Sequence, residues 1–260
     1  MEDSRPALSD ALDLAKSCAR IILENGGETY RAEETVYRIC TALGYEDTDV
    51  IAIPTGVFIT VCSDGGNTGT AVKRIRTRTV NLEAIDAVND ISRGLYEHRM
   101  TAKEACARVR EIRALLARRA TRREKLISIF AAGMSSAFFS LLFGGSARDF
   151  IASMLCGMAV QLAASSIRID DTFNFAISIL GGVIIGVGSI ACVSLLGGNL
   201  DKIITGAMMP LLPGIAMTNA IRDTMRGDLL SGVARAAEAL LVAIAIAFGV
   251  GVVLRLYYAL

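Results

Sequence analysis

The sequence predicts two unlike parts in one chain: an α+β cytoplasmic domain over residues 1–122, then an all-α polytopic bundle over residues 123–260. The bundle should hold five transmembrane helices, one of them broken at Pro210 and Pro213. Three observations carry this. Residues 1–125 hold 20 Lys/Arg and 19 Asp/Glu, whereas residues 126–260 hold 7 of each. Charge-free runs at Leu126–Ala147, Phe150–Ile167, Thr172–Leu200 and Ile203–Ile221 all reach the roughly 17–25 residues that a bilayer core requires. A fifth run, Ala239–Leu254, lengthens to about Ala234–Leu254 once Glu238 is admitted. Lastly, Ile203–Ile221 carries Pro210, Pro213 and Gly214 in its middle, where proline lacks the N–H that a helix needs.

In the first part, Ser9 is placed to cap a helix in which Leu12, Ala15, Cys18, Ala19 and Ile22 recur at three- and four-residue intervals, with Gly26-Gly27 as its stop. A second helix puts Val36, Ile39, Cys40 and Leu43 on one face and ends at Gly44. VIAIPTGVFITV (Val50–Val61) is β-branched and interrupted at Pro54, which suits a strand start, an edge or a bulge. Glycine-rich Ser63–Thr70 turns the chain, and Val72–Val80 returns as a strand. Asn81-Leu82 opens a third helix, and Thr101–Arg119 forms a fourth, basic towards its end.

The spans are expected at about 126–146, 150–167, 173–196, 203–221 and 234–255. Arg118, Arg119, Arg122, Arg123 and Lys125 precede the first of them, and Lys and Arg collect on cytoplasmic flanks. Counting onwards, Arg168, Arg222, Arg226 and Arg235 fall on the same side, against Arg148, Lys202 and Arg255 on the other. The expected topology is therefore N-terminus inside and C-terminus outside, in a cytoplasmic (inner) membrane. Asp170 and Asp171 are placed to cap the third span. Small residues four apart (Gly133 with Ala137, Ser153 with Gly157, Gly182 with Gly186, Ala247 with Gly251) favour a tight bundle and an assembly, a homo-oligomer included.

Several function classes are disfavoured. A net charge of +1 gives no electrostatic case for nucleic acid. There is one histidine, His98, and no G-x-S-x-G, H-E-x-x-H or G-x-x-x-x-G-K-[ST] pattern, so neither an enzyme nor an ATPase is expected, and no cofactor or metal. The six cysteines form no CxxC and read as reduced thiols. The N-terminus is acidic and polar, without the apolar stretch of a signal peptide.

Polar residues in the apolar half are few and therefore informative. A helix restarting near Gly214 presents N–H groups and a partial positive charge suited to a carboxylate, with Thr218 and Asn219 to hydrogen-bond a solute. Arg222 and Asp223 are either solute contacts or an interfacial ion pair. Glu238 is either a partner of Arg235 or a proton carrier, with Asp223 as a second candidate for ion coupling. Gln161, in mid-span, either lines a path or bonds across helices.

Four stretches, NGGETYRAEETVYRICTALG (Asn25–Gly44), PTGVFITV (Pro54–Val61), VNLEAIDAVNDISR (Val80–Arg93) and Pro210–Leu240, resemble the threonine/serine exporter family. The resemblance spans about Leu8 to Leu254. It implies export of small carboxylate-bearing solutes, threonine and serine or a C4-dicarboxylate such as succinate, coupled to an ion gradient. Full-length members carry a second membrane module, so this chain resembles the split type, whose larger subunit works with a separate small polytopic membrane protein. The family's proline-rich motif falls on Pro210, Pro213, Gly214, Thr218, Asn219, Arg222 and Asp223. Its N-terminal motif falls on Asn25, Gly26, Gly27, Glu28, Thr29 and Arg31, either a helix stop and restart or a gate at the cytoplasmic mouth. Pro54, Thr55 and Gly56 are open between a strand irregularity and a gate contact. The rival expectation is a non-transporting, membrane-anchored regulatory or assembly subunit whose cytoplasmic domain binds a ligand.

Overall fold

The computed structural model describes residues 6–63, 66–118, 120–166 and 174–259. The chain forms two compact units, one of Met1–Arg118 with Ile215–Ala236, the other of Arg119–Gly214 with Ala237–Leu260. In order, the elements are α1 (Leu8–Glu24), α2 (Thr29–Ala42), β1 (Asp47–Ile53), β2 (Gly56–Cys62), β3 (Thr68–Arg74), α3 (Leu82–Tyr96), α4 (Ala102–Ala117), α5 (Arg122–Leu142), α6 (Ala147–Ser166), α7 (Asn174–Leu196), α8 (Leu200–Met208), α9 (Gly214–Met225) and α10 (Leu229–Ala259).

In the first unit, the three- and four-residue spacing puts Ala15, Cys18, Ala19 and Ile22 of α1 into a core shared with Val36, Ile39 and Cys40 of α2, Val57, Ile59 and Val61 of β2, and Val88 and Ile91 of α3. Burial pushes the Cys18 thiol far up and that of Cys40 to about 11, so both stay neutral. All six cysteines are free. Asn81 caps α3 by accepting from the Ala84 N–H at 3.0 Å, and Thr101 and Glu104 form a reciprocal capping box on α4.

The fold departs from the sequence expectations at three places. Ala7, not Ser9, precedes α1, and Ser9 lies in its first turn. Pro54-Thr55 does not interrupt one strand: it is the two-residue turn of a β1–β2 hairpin, with Ile53 opposite Gly56. Proline is tolerated there because a turn asks for no ladder N–H. The returning strand β3 accordingly starts at Thr68 and ends at Arg74, and the sheet is a three-stranded antiparallel meander in the order β1-β2-β3. The longer expected strand to Val80 fails because only Thr68–Arg74 has a partner in β2.

In the second unit, helices touch wherever glycine allows. A Cβ on Gly182 of α7 would lie 3.1 Å from Gly249 Cα and Val250 N of α10, and one on Gly133 would lie 2.9 Å from the Met154 carbonyl. Asp149 is almost wholly buried: it accepts from Ser146 N–H (2.7 Å) and hydroxyl (2.8 Å) at the start of α6, and from Asn199 N–H (2.6 Å) before α8. Among the described residues, four helices are long and apolar enough to cross a membrane, or five if α8 and α9 together make one span. The caps expected from Asp170 and Asp171 lie outside the described residues, as does Arg168.

Around the prolines, α8 stops at Met208, a single 3-10 turn covers Met209–Leu211, and α9 starts at Gly214. The tighter turn supplies the donors the prolines lack: Met209 N–H reaches the Gly206 carbonyl, and Leu212 N–H reaches that of Met209 at 3.2 Å. Gly214 turns its own N–H back onto the Leu212 carbonyl (2.8 Å). The Gly206 and Met209 carbonyls, which Pro210 and Pro213 would otherwise leave without helical partners, are thus re-paired locally.

Candidate functional site

The site is built from two glycine turns within the first unit. At the end of α1, Asn25 stays close to the helix, its side-chain amide donating to the Ile21 carbonyl at 2.7 Å. Gly26 then takes φ +86°, and Gly27 N–H closes on the Ile22 carbonyl at 2.9 Å. This is a Schellman turn, and it ends with the Gly26 and Gly27 carbonyls directed away from α1. A Cβ on Gly27 would sit 2.9 Å from the Ile22 carbonyl, so glycine is required there by space, whereas at Gly26 it is favoured by conformation. Glu28 leads into α2 without capping it through its side chain, which leaves its carboxylate for other partners.

The second turn joins α9 to α10. Gly227 takes φ +89° and Asp228 N–H closes on the Asp223 carbonyl at 3.0 Å, the same motif again. Asp228 then accepts from Ser231 N–H (3.4 Å) at the start of α10. Gly232 lets the two helices meet, since a Cβ there would lie 2.9 Å from the Ala220 carbonyl.

Side chains of α9 and α10 grasp the first turn. Asn219 Nδ2 donates to the Gly26 carbonyl, and Arg235 Nη2 to that of Gly27, both at 2.8 Å. Arg222 Nη1 pairs with Glu28 Oε1 at 2.6 Å, and Arg31 with Glu28 Oε2 at 3.0 Å. Arg235 Nε lies 3.0 Å from Asp223 Oδ2, the two side chains 8% and 0% exposed. Thr29 Oγ1 lies 3.0 Å from Asp223 Oδ1 and 2.8 Å from Asp228 Oδ2. Burial alone would raise the Glu28 pKa, but a backbone N–H and the guanidinium groups of Arg222 and Arg31 outweigh it and hold the carboxyl below its ordinary range. Glu33, one turn into α2, is pushed up, first by burial and then by the charges of Asp228 and Asp223, even as it accepts Ala52 N–H at 2.8 Å.

The structure therefore brings together Gly26, Gly27, Glu28, Thr29 and Arg31 with Asn219, Arg222 and Asp223, with Asn25 holding the turn. Arg222 and Asp223 do not form a pair with each other: adjacent on a helix, they point to different partners. Thr218 is exposed on α9. Pro54, Thr55 and Gly56 stay in the β-hairpin. Pro210, Gly214, Gln161 and Glu238 belong to the second unit, where Gln161 Nε2 donates across helices to Ser128 Oγ at 2.8 Å. The sequence offered Thr29 only as part of the N-terminal motif and Arg235 only as a flanking charge or a partner of Glu238, and it offered no role for Asp228 or Glu33. The signal for Asp228 was present: an acid straight after Gly227 and three before a serine marks a helix start.

Long apolar helices that leave glycine seams for one another, together with a polar unit knotted by buried charge, define a multi-pass membrane protein. A family model described as "Putative threonine/serine exporter" matches residues 13–257. The chain belongs to that family of membrane exporters. It is 23% identical over 248 residues to the "Probable succinate transporter subunit YjjP" of Escherichia coli (strain K12), covering 94% of this chain and 93% of that protein. It is 24% identical over 242 residues to the protein of the same description from Klebsiella aerogenes, covering 91% and 90%. No solved structure matches the chain.

Proposed function

We propose that this chain is one subunit of a secondary transporter that exports small carboxylate-bearing solutes, either a C4-dicarboxylate such as succinate or an amino acid such as threonine or serine, driven by an ion gradient. It works with a small polytopic membrane protein that supplies the second membrane module, in the cytoplasmic membrane, with the N-terminus inside and the C-terminus outside. The observation that carries the reading is the fastening of residues 26–29 to α9 and α10 by Asn219, Arg222, Asp223 and Arg235, in a chain similar to two proteins described as "Probable succinate transporter subunit YjjP". A polar latch made of side chains that can exchange partners is what a gate requires, and Glu28 and Arg31 complete it. The solute is met at the α9 start, at Pro213, Gly214 and Thr218, where the helix end favours a carboxylate. Pro210 and Gln161 support that path, and Glu238 and Asp223 carry the coupling ion.

Proteoliposomes holding the full chain and its co-purified partner should move labelled succinate, threonine or serine when a proton gradient is imposed, and lose that flux when an ionophore collapses the gradient. Flux equal to that of empty liposomes for all three solutes rejects the reading, and flux indifferent to the ionophore rejects the coupling.

A further inference from the structure

We infer that Asp223 and Asp228 hold one exchangeable proton between them, on either side of the Thr29 hydroxyl, and that this proton keeps the start of α2 locked to the α9–α10 turn. A threonine hydroxyl has one hydrogen to give, and Thr29 is fully buried. Yet its Oγ1 is within 3.0 Å of a carboxyl oxygen on each side. Thr29 donates to one of them, so the other contact is satisfied only if that carboxyl carries a proton and donates back. With both ionised, a bare oxygen–oxygen contact is left beside a hydroxyl that is itself fully buried.

The surrounding charges point the same way. Arg235 on α10 places its Nε 3.0 Å from Asp223 Oδ2, while Glu33 on α2 feels the charges of Asp228 and Asp223. The nearby Glu28 is already matched by Arg222 and Arg31, and Arg226 lies 3.6 Å over the Tyr30 ring. Asp223 Oδ2, in a residue only 1% exposed, has an ion pair but no hydrogen bond among the described residues. Glu33 is pushed up first by burial, and the charges of Asp228 and Asp223 add to that push. Loss of the proton sets two anions against one hydroxyl and drives α2 from the turn, so the latch opens as pH rises. The proton site stands on this geometry, and only its link to transport rests on the function proposed above.

Infrared difference spectroscopy of the full chain in detergent, titrated from acid to alkaline pH, reads the carbonyl stretch of a protonated carboxyl directly. One such band should be present at neutral pH and vanish at higher pH. Asp223→Asn and Asp228→Asn should each remove it. Thr29→Val should weaken proton binding about tenfold, moving the midpoint down about one pH unit, while Thr29→Ser leaves it in place. Should the Asn variants not fold, the Val/Ser comparison decides alone, and equal midpoints overturn the inference. A wild-type chain without the band overturns it, as does a band that survives both Asn variants and disappears in Glu33→Gln. No solute flux enters the measurement, so the transport reading and the proton site can fail separately.

Discussion

Arg235 lies in a sequence that reads as the beginning of an apolar span, and the reason a guanidinium is tolerated there is its set of partners. It gives one hydrogen bond to the Gly27 carbonyl and lies against Asp223. Removing one member of such a pair strands the other charge, which costs about 3–5 kcal/mol, more than the pair adds when intact. Arg235→Met should therefore lower the melting temperature of the full chain in detergent sharply, and Arg235→Met with Asp223→Asn should recover part of the loss. Glu33→Gln is expected to act in the opposite direction. It keeps an acceptor for Ala52 N–H and removes a charge that burial and the acids Asp228 and Asp223 disfavour, so stability at neutral pH should rise, as read by thermal unfolding. Glu28 has a depressed pKa, so its contribution is present above the ordinary glutamate range and is lost as pH falls through the lower, folded value. Acidification should loosen the latch in wild type and have less effect in Glu28→Gln, measured by hydrogen exchange of residues 25–31. The effect is modest, because the Arg222 side chain is 54% exposed and solvent screens the pair.

At the level of elements, glycine position separates what must stay from what can change. Gly182 of α7 meets the α10 backbone, whereas Gly251 of α10 has nothing within 4 Å of where a Cβ would be. Gly182→Leu should reduce the yield of folded protein severely, while Gly251→Ala should leave yield and melting temperature unchanged, although both glycines belong to small-residue pairs of equal appearance in sequence. Periodicity made α1 to α4 legible, because one face of each helix is buried and the other solvated. It was less informative about caps and strand limits. Ser9 looked like a cap, yet the helix begins before it, and Pro54 looked like an irregularity, yet it forms a turn. Local chemistry permits either outcome in both places, and pairing partners decide. The prolines after α8 were legible as an interruption, but the 3-10 turn that re-pairs Gly206 and Met209 follows from backbone geometry that composition does not encode.

Over the whole molecule, the apolar helices leave most of their surface open. Within the most apolar 18-residue window of each span helix, 22–33% of the residues are buried, which leaves apolar surface open to lipid or another protein. A chain that works as a subunit should bury part of this surface against its partner. Co-expression with the small polytopic protein of the proposed transporter should raise the melting temperature and yield a complex of defined mass. A chain that is equally stable and monodisperse alone would remove the need for the second module.

Long charge-free runs, clustered arginines and spaced glycines announce a polar region followed by membrane helices, because a bilayer imposes length and apolarity on any segment that crosses it. The latch is a different matter. Residues 26–29 and 219–235 lie nearly 200 positions apart, and each stretch alone reads as an ordinary turn or flank. Only folding brings one hydroxyl between two acids and a guanidinium onto a glycine carbonyl. Hydrogen bonding and charge act across a few ångströms of space, whatever the separation along the chain.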